Sequence, residues 1–291
     1  FMIKQVMISS DLFLGFLLYK QFEKDKGIKA FKFWMLCPYI IIISSIWGMF
    51  DQFVLLLLVF SIIAIEKPFK SAILEGLGIT LKGIPIIFLP LLAFFKRKKY
   101  EILIYFIVSA LPLFTISLLP YLIFKNWNIN SLIGTATDTI HKVGNSLNYW
   151  VVPYVLNNFY SLPDLFYQVA SILSYLWIFI ISLGLIFCII NIKENKNLIE
   201  HLYLLILFII LLFFLSRSQI NEQYLIYFLY FGLIETLKYG NSKNYFNGIW
   251  LSALVFLLAN NFFLVRFFLP ISISAISIES SLREGFFNNI R

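Results

Sequence analysis

Apolar runs recur along this chain near residues 5–20, 33–48, 51–65, 100–124, 166–190, 201–215, 224–237 and 248–270. Each approaches the roughly 20 residues with which a helix crosses a bilayer, and several fall short of it. Such a series leaves few folds open, because a soluble domain has no interior large enough to hide it. Composition agrees: of 291 residues, 60% are apolar and 13% charged, whereas soluble domains carry about a quarter charged residues. Mean hydropathy is +0.87. The bilayer is the implied solvent, and there the backbone polar groups find partners only inside helices or closed barrels. The run lengths select helices. The fold expected is all-α, a polytopic integral membrane helix bundle of about eight spanning helices forming one transmembrane domain over 1–291. Phe1 is no initiator methionine and no signal peptide is legible before the first run, so the chain reads as N-terminally incomplete.

Charge orients the bundle. Five loops, "KQFEKDKGIKAFK", "EKPFK", "KRKKYE", "NIKENKNLIE" and "KYGNSKN", hold 15 of the 23 basic residues. The positive-inside rule places them on the cytoplasmic side. The net charge of +8 therefore answers to anionic lipid and insertion direction, and no nucleic-acid partner is expected. The run 71–95, "SAILEGLGITLKGIPIIFLPLLAFF", is flanked by basic loops on both sides, so a single crossing would strand one of them outside. A re-entrant pair resolves the conflict, with half-length helices over 71–81 and 84–95 meeting where Lys82, Gly83 and Pro85 interrupt the backbone. Such breaks sit at depth only when buried in protein or lining a polar cavity, and an intramembrane lysine marks a site by default. A lysine snorkelling to the interface is the plainer alternative.

The opposite face then receives "WGMFDQ", a long interfacial loop over 125–165, "SRSQINEQ" and the tail after Pro270. Four of five arginines, Arg217, Arg266, Arg283 and Arg291, fall on or toward this side. Guanidinium forks suit phosphate, which makes Arg217 and Arg266 candidates for gripping an anionic headgroup, against the alternative of interfacial anchoring. The long loop alternates amides with Tyr149, Trp150, Tyr154, Phe159 and Tyr160. That composition fits an aromatic belt, and it fits sugar, whose C–H faces stack on rings while its hydroxyls bond to amides. Asp51, Gln52, Asp138, His141, Asn145, Asn148, Arg217, Asn221, Glu222, Gln223 and Tyr224 all gather here. A phosphate-linked sugar on a lipid would satisfy such a set.

Much chemistry is excluded. There is no P-loop, dinucleotide fingerprint, H-E-x-x-H or G-x-S-x-G. His141 and His201 fall on opposite sides in this topology, so no metal site is expected from them, and Cys37 and Cys188 lie singly in apolar runs as packing residues. No internal repeat is evident.

The ordered set "WGMFDQ", "GLGITLKGIP", "NSLNYW" and "NEQYL" resembles the C-type (GT-C) integral-membrane glycosyltransferases that use polyprenyl-phosphate sugars, in particular the GPI mannosyltransferases and the glucosyltransferases of the N-glycan pathway. Trp47, Gly48 and Asp51 match a W-G-x-x-D segment; Gly76, Gly78, Lys82 and Pro85 match a small-residue helix ending in lysine and proline. Asn145, Asn148 and Trp150 match the outer loop, and Glu222 and Tyr224 match an H-E-x-Y-like motif whose histidine is here Asn221. The resemblance implies hexose transfer, mannose foremost, to a lipid-linked or glycan acceptor at the extracytoplasmic face of a cell or endoplasmic-reticulum membrane. It implies a catalytic aspartate upstream of Phe1, with Asp51 the best acid within the chain. Lys82, Arg217 and Arg266 would face the carrier phosphate; His141, Asn145, Asn148 and Trp150 would meet sugar or acceptor. Some members of this fold use divalent Mg or Mn, which the chain leaves open. A flippase of lipid-linked sugars and a non-catalytic membrane subunit are the rival readings. Transporters usually pair two broken helices, and one break is expected here.

Overall fold

The computed structural model describes residues 2–46, 48–95, 98–119, 123, 175–194, 198–217, 222–239, 248 and 251. The described residues are helical, with no strand among them. Among the described residues ten α-helices follow in order: α1 (Met2–Gln21), α2 (Lys24–Leu36), α3 (Pro38–Ile41), α4 (Asp51–Ile63), α5 (Pro68–Leu81), α6 (Leu89–Phe94), α7 (Lys99–Leu113), α8 (Leu176–Glu194), α9 (Leu198–Ser216) and α10 (Leu225–Tyr239). Short 3₁₀ turns cover Ile84–Ile87 and Glu222–Tyr224, and π turns extend α3 over Ile42–Ile46 and α7 over Phe114–Leu118.

Two sequence expectations need correction. The basic stretch 20–32 is not a loop, because α2 begins at Lys24. Its Gly27, Ala30 and Trp34 recur at helical spacing and are buried, while the lysines between them remain exposed. The charges are one face of an amphipathic helix. A second break exists as well, since α2 and Pro38–Ile46 bend by 47°. Pro38 lacks an amide hydrogen and its ring clashes with the preceding turn, so Cys37 is extended there (ψ 114°) and Pro38 starts a new helix.

Helix α5 packs most extensively on α7 and α4, and α1 on α2. Gly76 is what lets α5 meet α7: a Cβ there would stand 2.1 Å from the Ser109 carbonyl oxygen. At the far end of the α4–α5 hairpin, Ser61 Oγ donates to Ser71 O and Ser71 Oγ to Ser61 O, each at 2.9 Å. The Tyr105 hydroxyl of α7 joins Ser71 Oγ at 2.9 Å. This buried polar lock fixes the register of three helices. Helix α10 closes the bundle, with Tyr230 meeting Trp34 edge-on at 5.4 Å.

Among the described residues one helix, Lys99–Ile116, is long and apolar enough to cross a membrane, with a mean hydropathy of 1.5, and the bent pair Lys24–Leu36 and Pro38–Ile46 qualifies if taken as one span. The break expected near Lys82 is present: Lys82 is extended (φ −157°, ψ 126°) at the end of α5, and the chain resumes as the 3₁₀ turn and the short α6.

Candidate functional site

The site is built where the α4–α5 hairpin ends. Helix α4 starts at Asp51 with 13 residues and α5 returns with 14, finishing at Leu81. Matched lengths bring the first residue of α4 level with the residue after α5. The helix dipoles reinforce the pairing: a carboxylate is favoured at the N-terminus of α4 and an ammonium at the C-terminus of α5. Lys82 Nζ accordingly lies 2.7 Å from Asp51 Oδ2. The Asp51 side chain is wholly buried, while that of Lys82 retains 22% of its exposure. The acid braces the cation from below and leaves it accessible from the other side.

The turn into α4 is held by three devices. Gly48 adopts φ +67°, the left-handed conformation that ends helices with little strain only at glycine. Met49 N then donates back to Ile43 O at 3.1 Å, and Lys4 Nζ, reaching over from α1, donates to Ile46 O at 3.0 Å. Gln52 is fully buried. With its amide oriented to satisfy both ends, it donates to Met49 O at 2.7 Å and accepts from Ser44 N at 3.1 Å. Both ends of its amide thus go to the turn backbone.

A third segment completes the cluster. The Glu222–Tyr224 turn presents Gln223, whose Oε1 accepts a short hydrogen bond from Lys82 Nζ, and Tyr224, whose ring centroid lies 5.1 Å from the same ammonium. Arg217 stands just past the end of α9, its guanidinium 5.0 Å from the Phe213 ring centroid and 5.4 Å from that of Trp177. Burial lowers the basicity of Arg217, and Tyr224 opposes that shift through charge and a hydrogen bond. Tyr224 thus links the two cations, its ring against Lys82 and its hydroxyl toward Arg217. Two positive groups and one carboxylate leave the described cluster electropositive, suited to an anion that approaches past aromatic faces.

The structure therefore brings together Asp51, Lys82, Arg217, Gln223 and Tyr224 of the residues singled out from sequence, and adds Trp177 and Phe213. Phe213 precedes Arg217 by one helical turn, a spacing visible in the sequence; Trp177 belongs to another helix and gives no such signal. Trp47, His141, Asn145, Asn148, Trp150, Asn221 and Arg266 lie outside the described residues, as does the side chain of Glu222. Among the described residues no group of three or more His, Cys, Asp or Glu side chains is placed to hold a metal ion. Asp51 is engaged by Lys82, so the described donors do not fit a divalent cation.

The profile of glycosyltransferase family 87 matches residues 11–216, well over half of the chain. The chain belongs to glycosyltransferase family 87. Membership makes it a glycosyltransferase of a typically membrane-associated, GT-C-like family, in keeping with the apolar helix Lys99–Ile116. The family 87 match includes Asp51 and Lys82 and ends one residue before Arg217. No curated protein and no solved structure matches the chain.

Proposed function

We propose that this family 87 member moves a hexose, mannose foremost, from a polyprenyl-phosphate carrier to a lipid-linked or glycan acceptor at the extracytoplasmic face of a membrane. The observation that carries this reading is Lys82, an accessible ammonium fixed at the broken end of α5 by buried Asp51 and faced by Tyr224 beside Arg217. In this reading the acceptor hydroxyl loses its proton to a base as its oxygen attacks the anomeric carbon. The bond from that carbon to the phosphate oxygen breaks, and the polyprenyl phosphate departs with the electron pair. Charge grows on the phosphate oxygen, where fixed cations lower the barrier. Lys82 and Arg217 supply that field, and Arg266 extends it. Asp51 orients Lys82. His141, Asn145, Asn148 and Trp150 contact sugar or acceptor. About eight spanning helices with a re-entrant pair at 71–95 set this cluster on the outer side, and no metal step is invoked.

The test offers radiolabelled polyprenyl-phosphate mannose and glucose to the full-length protein in vesicles, with lipid and glycan acceptors. Transfer of label from at least one donor is expected; label that stays on every donor removes the reading. The bend at Cys37–Pro38, a second interrupted helix, favours a rival in which lipid-linked sugar is translocated intact. The same vesicles separate the two, because translocation moves the donor across the bilayer without consuming it.

A further inference from the structure

Gly83 follows Lys82 in the chain, and nothing in the fold asks for a glycine there. Its backbone is ordinary right-handed helix (φ −60°, ψ −14°), a conformation open to every L residue. The break in the helix belongs to the extended Lys82 and to Pro85, which has no amide hydrogen to donate. Among the described residues no atom lies within 4 Å of the position a Gly83 Cβ would take. Gly76 and Gly48 do have reasons of this kind, the first pressed against Ser109 O and the second held at φ +67°. A glycine also adds freedom to the unfolded chain that alanine would remove. A side chain left out against that cost, beside the cation of the site, leaves room for a ligand.

That room has an ammonium on one side and hydrocarbon on the other. From Gly83 the chain turns as a 3₁₀ helix, with Ile86 N donating to Gly83 O at 3.2 Å. Residues three apart eclipse one another in such a turn, so Gly83 and Ile86 share one edge. Ile86 is 54% exposed, whereas Ile84, Pro85 and Ile87 of the same turn are buried. Leu81, just before Lys82, is also exposed. An ammonium beside an open hydrocarbon edge matches an anion carried on a hydrocarbon chain. A free phosphate would use only the first and an uncharged chain only the second. A phospholipid sets glycerol esters between its phosphate and its chains, while here the hydrocarbon edge begins one residue from the cation. We propose that Gly83 and Ile86 seat the first prenyl unit of the carrier, the carbons bonded to the phosphate that Lys82 meets, and that Gly83 sets the width of the seat. This rests on reading the donor as a polyprenyl phosphate, yet a prenyl phosphate without sugar suffices to measure it.

The experiment measures equilibrium binding of tritiated farnesyl phosphate to the full-length protein in phosphatidylcholine nanodiscs, with empty discs as the blank. Wild type, Gly83→Ala, Gly83→Leu and Ile86→Ser are compared, and unlabelled farnesyl phosphate, farnesol, inorganic phosphate and phosphatidic acid compete. Gly83→Leu fills the seat and is expected to weaken binding by about tenfold or more, the scale on which an apolar site discriminates by size. Gly83→Ala should fall between it and the wild type, and Ile86→Ser should weaken binding as well. Only unlabelled farnesyl phosphate should displace the probe efficiently. A Gly83→Leu protein that melts as the wild type does and binds the probe as tightly overturns the proposal, as does a wild type that binds no farnesyl phosphate. Displacement by phosphatidic acid as readily as by farnesyl phosphate overturns it too, since that marks a phospholipid headgroup site. If Gly83→Leu no longer melts cooperatively, Ile86→Ser decides by the same criterion. Sugar transfer in the same discs separates the ideas. A wild type that transfers from no donor while Gly83→Leu weakens binding refutes the donor assignment and leaves the seat standing; transfer by the wild type with undiminished binding in Gly83→Leu does the reverse.

Discussion

Asp51 and Lys82 are 31 residues apart in the chain and 2.7 Å apart in space. The hairpin that joins them, α4 up to Ile63 and α5 from Pro68, converts that separation into a contact at its open end.

Breaking the pair from either side is unequal. Lys82→Gln strands a fully buried carboxylate and is expected to cost about 2–3 kcal/mol, at or below the low end for broken buried pairs because Lys82 keeps contact with solvent. The double variant Asp51→Asn/Lys82→Gln removes both charges and is expected to cost less than Lys82→Gln alone. Denaturant unfolding in mixed micelles measures both, and a double variant as damaged as the sum of the singles would deny that the pair acts as a unit.

Three glycines make a graded series. Gly76→Ala drives a methyl group into the Ser109 carbonyl of α7 and is expected to lose about 1–3 kcal/mol, typical of overpacking. Gly48→Ala forces a side chain into the left-handed region (φ +67°), at about 1–2 kcal/mol. Gly83 has open space around its Cβ position and an ordinary helical backbone (φ −60°), so Gly83→Ala is expected to be neutral or slightly stabilising. Thermal melts of the three variants should keep that order.

Arg217 is held by ring faces, and a lysine reproduces its charge without its plane. Arg217→Ala is expected to slow sugar transfer at least tenfold, about 1.4 kcal/mol of barrier. Arg217→Lys should recover only part of that loss. Initial rates at saturating donor decide it, and full recovery by lysine would mean that charge alone matters at this position.

Sidedness is open to a direct chemical test. Asp51 is too buried to report on it, whereas its neighbour Phe50 is 48% exposed. The native Cys37 and Cys188 are buried and should stay silent. Phe50→Cys is expected to react with a membrane-impermeant thiol reagent added from the extracytoplasmic side. Reaction from the cytoplasmic side alone would invert the proposed topology.

The sequence showed the helices and missed some of their joints. The break at Lys82 was legible because Lys82, Gly83 and Pro85 crowd three disruptive residues into four positions. The break at Pro38 was not, since a single proline inside a long apolar run looks tolerable until its neighbours are placed. The lysines over 20–32 read as a loop by charge density alone, whereas the helical spacing of Gly27, Ala30 and Trp34 gives that stretch a buried face. Asp51 and Lys82 were each legible as polar residues in apolar surroundings, but their contact depends on two helices having nearly equal length, which becomes visible only once Gly48 and Pro68 are known to mark where each begins. The burial of Glu75 within "SAILEGLGITLKGIP" has no sequence signal, because a lone acid two turns before Lys82 does not say which face of α5 its neighbours cover.

The most direct measurement of the central claim is the single-turnover rate of hexose transfer from a radiolabelled polyprenyl-phosphate donor by the full-length wild type, Lys82→Ala and Lys82→Arg. If Lys82 carries the charge that meets the departing phosphate, the alanine variant should be slower by about 100-fold, the scale of losing one fixed stabilising group at a developing anion. The arginine variant should be faster than the alanine variant. A folded Lys82→Ala protein that transfers hexose at the wild-type rate would contradict the account.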